Sequence, residues 1–293
     1  MKLGLGTVQF GMPYGVSNRT GQTMPDEAAY ILDVAAAAGV QVLDTAALYG
    51  ESERVLGRLL RKSHPFRIVT KTDSLIPPNG ASLDADEVVR RLEQSLRRLG
   101  QSNVYGFLLH RPAELLSPYG ETIMRGLEKC KRMGYVAKVG VSVYPEDSVF
   151  EMIAKYPLDL VQVPVNLLDQ RLIANGFLDR CKEQGIEIHA RSVFLQGLIG
   201  MEPNQMPAYF APYMPKLSEL RDTLDREGIG PMEAAVSFAE QCRLIDAYVC
   251  GVNDGAQLSQ LIAWAVRSKP RLDYTAFAAT EPGLLNPALW KIS

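Results

Sequence analysis

Eight short apolar runs, each followed by a stretch with helical spacing, dominate this 293-residue sequence and leave few folds open. The runs fall near residues 3–8, 40–43, 67–70, 104–109, 138–143, 160–165, 187–193 and 247–252. Between them, apolar residues recur three and four apart: Val55, Leu56, Leu59 and Leu60; Val89, Leu92, Leu96 and Leu99; Ile123, Leu127 and Cys130; Val149, Met152 and Ile153. That spacing lines one face of a helix. Several of these stretches stop at a glycine (Gly39, Gly100, Gly134, Gly185), as a left-handed helix terminus requires. Strand, helix and glycine in repeated order describe parallel strands joined by right-handed crossovers. Eight such units close into a barrel, so the expected fold is α/β, a (β/α)8 TIM barrel forming a single domain over residues 1–293.

An open, doubly wound sheet is the competing architecture, but no GxGxxG follows any of the strands. Gly4 and Gly6 form a GLG that leads into Thr7 and what reads as more strand rather than a helix. No linker or shift in composition divides the chain. Its least regular stretches, residues 12–25, 73–83 and 196–215, all follow a strand and so belong to the barrel face where sites form. The last carries Met201, Met206, Tyr209, Phe210, Tyr213 and Met214, and two readings stay open: a loop packing its own apolar residues on the rim, or a lid over a ligand.

Composition narrows the partners. A formal net charge of −2 provides no broad basic field, which disfavours nucleic acid and anionic membrane. No apolar run reaches the roughly 18 residues that suggest a membrane span. The glycine-broken N-terminus lacks a signal-peptide layout. The four cysteines, at 130, 181, 242 and 250, have no CxxC pairing, and the three histidines are dispersed. These features point to a cytoplasmic protein with reduced core cysteines and no metal.

Four polar residues stand at or just beyond the ends of three consecutive strands. Asp44 ends the second run, Tyr49 lies five residues on, Lys71 ends the third and His110 the fourth. Any one alone reads as a structural ion pair or a hydrogen-bonded histidine. Together they fit the reduction of a carbonyl, which needs a hydride on carbon and a proton on the developing alkoxide. A free tyrosine titrates around pH 10. An ammonium at about 4 Å, in an effective dielectric of about 20, contributes on the order of 4 kcal/mol towards the tyrosinate before desolvation is deducted. Lys71 is therefore expected to lower the pKa of Tyr49, with Asp44 keeping Lys71 charged. A neutral His110 would donate a hydrogen bond to the carbonyl oxygen.

At these residues the sequence resembles the aldo-keto reductase superfamily. The likeness lies in LDTAALYGESE (43–53), VTKT (69–72) and LLHRP (108–112), and extends over almost the whole chain. It implies that Asp44, Tyr49, Lys71 and His110 form a catalytic tetrad, with an extended NAD(P)H across the barrel mouth and a small-molecule carbonyl as substrate. It further implies cofactor contacts from Gly6 and Thr7 after the first strand, Asp44 in the tetrad, Ser142 in GVSVY and Gln162 in LVQVPVN. Val143 stands where the family has asparagine, which removes one hydrogen bond. On the seventh strand, HARSVFLQG puts Arg191 where an aromatic commonly stacks on the nicotinamide, followed by Ser192, with Phe194 a second candidate to cover it. VCGVNDGAQL resembles the segment holding the adenosine 2′-phosphate, yet offers Gly251, Asn253 and Gln257 rather than a base. The family as a whole points to NADP, and NAD stays open. The stretch after Pro270 is short beside the C-terminal loops that shape large apolar pockets in relatives, so a small or polar substrate such as a sugar or short aldehyde is expected.

Two rival readings share these residues: a barrel that senses NAD(P)H with little turnover, and a barrel hydrolase or aldolase using Lys71 as a Schiff-base nucleophile. Asp44 argues against the aldolase by holding Lys71 charged. Oligomeric state, direction of reaction and the physiological substrate are not written in the sequence.

Overall fold

The protein is represented by a computed structural model that describes residues 1–76, 81–267, 270 and 272–292. Residues 77–80, within the irregular stretch 73–83, fall outside the described residues, as do 268, 269, 271 and 293 of the chain-long domain. Eight parallel strands close on themselves in sequence order: β1 (Leu3–Gly6), β2 (Val42–Asp44), β3 (Arg67–Lys71), β4 (Val104–Leu109), β5 (Val136–Ser142), β6 (Leu160–Pro164), β7 (Glu187–Arg191) and β8 (Ala247–Gly251). β8 returns to β1 with Gly6 opposite Gly251, which completes the (β/α)8 barrel. The helices described are α1 (Val8–Gly11), α2 (Pro25–Ala37), α3 (Ser52–Leu59), α4 (Ala85–Leu99), α5 (Gly120–Arg132) and α6 (Val149–Lys155). They continue with α7 (Arg171–Ala174), α8 (Phe177–Glu183), α9 (Met214–Arg226), α10 (Pro231–Gln241), α11 (Gly255–Val266) and α12 (Pro282–Leu285).

α4 shows why these segments are helical. Asp84 caps it by accepting from the Glu87 amide at 2.8 Å, Asp86 and Glu87 sit in the first turn, and Arg97 and Arg98 in the last. This charge order suits the helix dipole. Val88, Val89, Leu92, Leu96 and Leu99 are buried, and the helix ends at Gly100 with φ +63°.

Period-two alternation divides the lumen into layers. At its centre Val42, Val69, Leu108, Leu160 and Ala247 form a small apolar plug, closed tightly because Gly106 and Gly140 face it. Below the plug, at the N-terminal ends of the strands, Glu187 binds Lys138, accepts from the Tyr105 hydroxyl at 2.6 Å and lies 2.7 Å from His189 Nε2. A cleft of about 410 Å³ opens there among Lys2, Arg67 and Lys182. Charge at this end of a barrel bears on stability rather than catalysis. Above the plug lie Asp44, Lys71, Ser142 and Gln162.

Three details differ from the sequence reading. β1 stops at Gly6, and the chain turns into α1 at Val8, so the GLG does lead to a helix, though one of a single turn. β7 ends at Arg191 rather than at 193, because Ser192 adopts φ +57° and breaks the ladder. The stretch 196–215 is largely ordered into short 3₁₀ turns. Phe210, fully buried, meets Trp290 edge-on at 4.9 Å, and the Tyr209 hydroxyl donates to Gly283 O at 3.0 Å. Its second half is thus a rim segment packed on the C-terminal residues, whereas Gln196, Gly197 and Gly200 wall the central cavity.

α3 and α4 touch through Gly57, where an added Cβ would lie 2.1 Å from the Arg98 carbonyl oxygen. Gly57→Ala is therefore expected to destabilise the fold by about 1–3 kcal/mol, since the clash is with backbone. Urea denaturation measures this; an unchanged midpoint would mean that the two helices separate freely.

Candidate active site

The ends of β2, β3, β4, β5 and β6 converge on one cluster. Lys71, wholly buried, donates to Asp44 Oδ1 at 2.8 Å, to Oδ2 at 2.7 Å and to Thr45 O at 3.0 Å. An ammonium has three N–H groups, which these three acceptors share with a fourth, more distant one. The Tyr49 hydroxyl lies 3.4 Å from Nζ, a longer contact, with the ammonium 4.9 Å from the centre of its ring. Gln162 Nε2 donates to Asp44 Oδ1 at 2.7 Å. Burial pushes Lys71 below its ordinary range, and Asp44 works against that push. Removing one partner of such a buried pair commonly costs about 3–5 kcal/mol, because the other is left uncompensated. A lysine so engaged is a poor amine nucleophile, which weakens the aldolase reading.

The LDTAALYGESE segment holds this cluster from outside. Ser52 Oγ donates to Thr7 O at 2.7 Å and meets the hydroxyls of Thr7 at 2.8 Å and Thr45 at 3.0 Å. Glu53, 2% exposed, accepts from Thr70 Oγ1 at 2.6 Å and binds Arg98. Thr7 also donates to Asp44 O at 2.9 Å, so its hydroxyl is committed to the scaffold and not offered to a ligand. The motif's hydroxyls and its second glutamate thus fix the chain on which Tyr49 is carried.

Tyr49 corrects one expectation. Its pKa lies above the ordinary phenol value, raised by burial first and by Asp44 second. Lys71 does not reverse this, because its charge is matched at contact distance by Asp44. The resting phenol keeps its proton and is poised to donate it. His110 meets Tyr49 edge to face at 5.7 Å. Burial first, and the Lys71 charge second, pull the imidazole down to about 4, so it is neutral near pH 7 and has one N–H to donate. Its Nδ1 is buried without a partner among the described residues, while its backbone N–H donates to Thr72 Oγ1 at 3.3 Å.

A cavity of about 860 Å³ spreads over the mouth of the barrel. Asp44, Tyr49 and His110 line one part of it, and Lys71 lies beneath. Gly6, Thr7, Ser142 and Gln162 form its floor; Ser192 and Phe194 stand on one wall; Gly251, Asn253 and Gln257 stand at β8 and α11. Gln162 Oε1 is buried and has no donor, an acceptor left open in the floor. Arg191 is turned along the mouth. It donates from Nε to Ser142 Oγ at 3.3 Å and from its terminal nitrogens to Val143 O at 2.9 Å and Ser192 Oγ at 3.3 Å, with its guanidinium 4.1 Å from the centre of the Tyr144 ring. Tyr144 thus provides the aromatic surface on which Arg191 stacks.

Sequence reasoning missed Gln9, Tyr14, Tyr144 and Asp147, which also line the cavity. Tyr144 and Asp147 follow Ser142 by two and five residues, so position after β5 was a usable signal. Gln9 and Tyr14 lie beyond β1, in α1 and in the irregular stretch, where nothing in the spacing marks them. Ser192, Leu195 and Gln196 all have positive φ (57°, 45° and 54°), a concentration of backbone strain on the cavity wall typical of functional sites.

Fold and site together describe an α/β barrel with a tyrosine held over a buried lysine–aspartate pair at its mouth. A sequence profile of the Aldo/keto reductase family matches residues 2–278, and the chain belongs to that family. It is 30% identical over 282 residues to a D-threo-aldose 1-dehydrogenase of Pseudomonas sp., covering 84% of this chain and 85% of that protein. An NADH-specific methylglyoxal reductase of Escherichia coli is 26% identical over 179 residues, 55% of this chain and 54% of that one. An aldo-keto reductase of Bacillus halodurans, solved in its holo form, superposes with a TM-score of 0.76 over 99% of this chain and 94% of its own, at 19% identity. Among the described residues no helix is long and apolar enough to cross a membrane.

The His110 geometry sets a pH dependence. The folded protein keeps the imidazole neutral down to about 4, whereas the unfolded chain takes up a proton near 6.5. Its contribution to stability is complete above about 6.5 and is lost as pH falls towards about 4, by up to about 3 kcal/mol. His110→Gln should flatten the wild-type fall in melting temperature over this window; parallel curves would show that His110 is not held neutral.

Proposed function

We propose that this protein interconverts a small, polar carbonyl compound and its alcohol at the expense of NAD(P)H or NAD(P)+, with Tyr49 as the general acid and base. The observation that carries the reading is the Tyr49 hydroxyl at the cavity, 3.4 Å from Lys71 Nζ, which is itself bound to both carboxylate oxygens of Asp44. The cavity is large enough to hold more than a small substrate, and its floor offers the orphaned acceptor Gln162 Oε1 beside Ser142, which suits the donor side of a carboxamide. These features fit a nicotinamide nucleotide, which supplies hydride to the carbonyl carbon when bound. Gly6, Ser142, Gln162 and Arg191 would surround its nicotinamide end, with Ser192 and Phe194 along its length and Gly251, Asn253 and Gln257 towards adenosine. Thr7 contributes through position rather than through its hydroxyl.

The chain's own residues then account for the proton. His110 donates its N–H to the carbonyl oxygen and fixes it beside Tyr49. As negative charge builds on that oxygen, the Tyr49 proton moves onto it. The tyrosinate left behind lies next to the Lys71 ammonium, which stabilises it at the moment it forms. Thr45 O and Asp44 keep that ammonium from following the charge. In the oxidative direction the same groups act in reverse. The polar lining from Tyr14, Tyr144, Asp147 and Arg191 supports a small, hydroxylated substrate, and relatives that are a sugar dehydrogenase and a methylglyoxal reductase support the same class.

Tyr49→Phe tests the reading. Turnover of methylglyoxal and short aldoses should fall by about 10²–10⁴, the span of general acid–base catalysis, while nucleotide affinity stays within about twofold. Full activity in the variant would remove Tyr49 from the chemistry.

A further inference from the structure

Where β8 meets α11 the cavity is built by Gln9, Gly251, Asn253 and Gln257, none of them a cation. At the start of α11, Asp254 accepts from the Gln257 amide at 2.8 Å, and Glu27, reaching across from α2, accepts from the Gly255 amide at 2.7 Å. A helix N-terminus of this length attracts anions. Here two carboxylates of the chain already occupy it. Residues 247–266 contain no lysine or arginine, and the cations lining the cavity are Arg111, next to His110, and Arg191, against Tyr144.

The buried side-chain atoms left without a partner at this end are both acceptors. Gln9, only 8% exposed, has a buried Oε1 without a donor, and Asn253 Oδ1 is in the same condition. Gln9 is pressed against β8: a Cβ on Gly251 would lie 2.4 Å from its Oε1. Orphaned acceptors call for a ligand that brings hydroxyl or amine donors. A phosphate monoester brings about −1.5 to −2 charge and acceptor oxygens only. Placed here it would meet a helix start whose amides are held by Glu27 and Asp254, with no arginine or lysine in residues 247–266 to receive it.

We infer that this chain selects the nucleotide with a free 2′-hydroxyl, NAD(H), over its 2′-phosphorylated counterpart, and that Glu27 and Asp254 set the preference. The inference rests on the reading above that a nicotinamide nucleotide lies with its reactive ring at Tyr49 and its adenosine towards α11. It runs against the NADP leaning that family likeness carries. Glu27 is a specificity residue invisible to sequence motifs, because it acts from 228 residues away.

The test measures binding and needs no turnover. Nucleotide fluorescence and calorimetry would give the dissociation constants of NADH and NADPH at low and moderate salt, for the wild type and for the Glu27→Gln, Asp254→Asn double variant. Both substitutions retain an acceptor and remove a charge, and asparagine remains a good helix cap. The wild type should bind NADH at least about tenfold more tightly, and the double variant should narrow that ratio about tenfold by strengthening NADPH, most clearly at low salt where charges are least screened. Equal or tighter NADPH binding by the wild type, or an unchanged ratio in the variant, overturns the inference and leaves the proposed activity standing. No binding of either nucleotide overturns both.

Discussion

The salt bridge between Lys71 and Asp44 is the contact on which the upper half of this barrel depends. It joins the ends of β2 and β3 inside the lumen. Through Gln162 it extends to β6, and through Thr45 O to the turn that carries Tyr49. A charge buried there without its partner would be costly, so each member requires the other. The same contact decides the chemistry. Asp44 and Thr45 O hold the Lys71 ammonium more closely than Tyr49 does, so the Tyr49 hydroxyl stands beside a paired charge rather than a free one. A free ammonium would have acidified the phenol beforehand and weakened it as a base for the reverse reaction.

The lumen is polar at both ends and apolar between. Arg67, Lys138 and Glu187 occupy the lower ends of β3, β5 and β7, while Lys71, Ser142 and Arg191 occupy the upper ends of the same strands. Alternation alone produces this arrangement, since every second residue points the same way. What separates the ends is access. The lower network gathers on Glu187 and leaves His189 Nδ1 without a partner, whereas the upper one opens into the larger cavity and leaves Gln162 Oε1, His110 Nδ1 and Gln9 Oε1 without partners. Strained backbone at Ser192, Leu195 and Gln196 adds to the contrast, and buried Val193, Leu195 and Leu198 hold that strain in place.

Most of the fold was legible because the strand and helix periods alternate without interruption, and the tetrad was legible because its members end consecutive strands. Boundaries blurred where sequence pattern and backbone part company: Thr7 and Val8 are apolar enough to prolong a strand yet turn into α1, and Ser192 ends β7 by its backbone angle alone. Charge balance was the harder matter. That Lys71 would meet Asp44 was foreseeable, but that burial and the Asp44 charge would leave Tyr49 raised rather than lowered depends on packing around the phenol that no side-chain pattern reveals. Arg191 was seen as a departure, but its seat on Tyr144 needed its reach from β7 across β6 to the end of β5. Gln9 and Glu27 were illegible because their partners lie on β8 and α11, at the other end of the chain.

The central claim is that the barrel mouth passes hydride from a nicotinamide ring to a carbonyl carbon while the chain supplies the proton. It is tested most directly by giving the enzyme reduced nucleotide deuterated at the transferable C4 position, with a small aldehyde in ordinary water, and locating the label by NMR. The account predicts one deuterium on the new carbinol carbon and an ordinary proton on the hydroxyl. Product free of deuterium at that carbon, or formed equally fast without nucleotide, would contradict it.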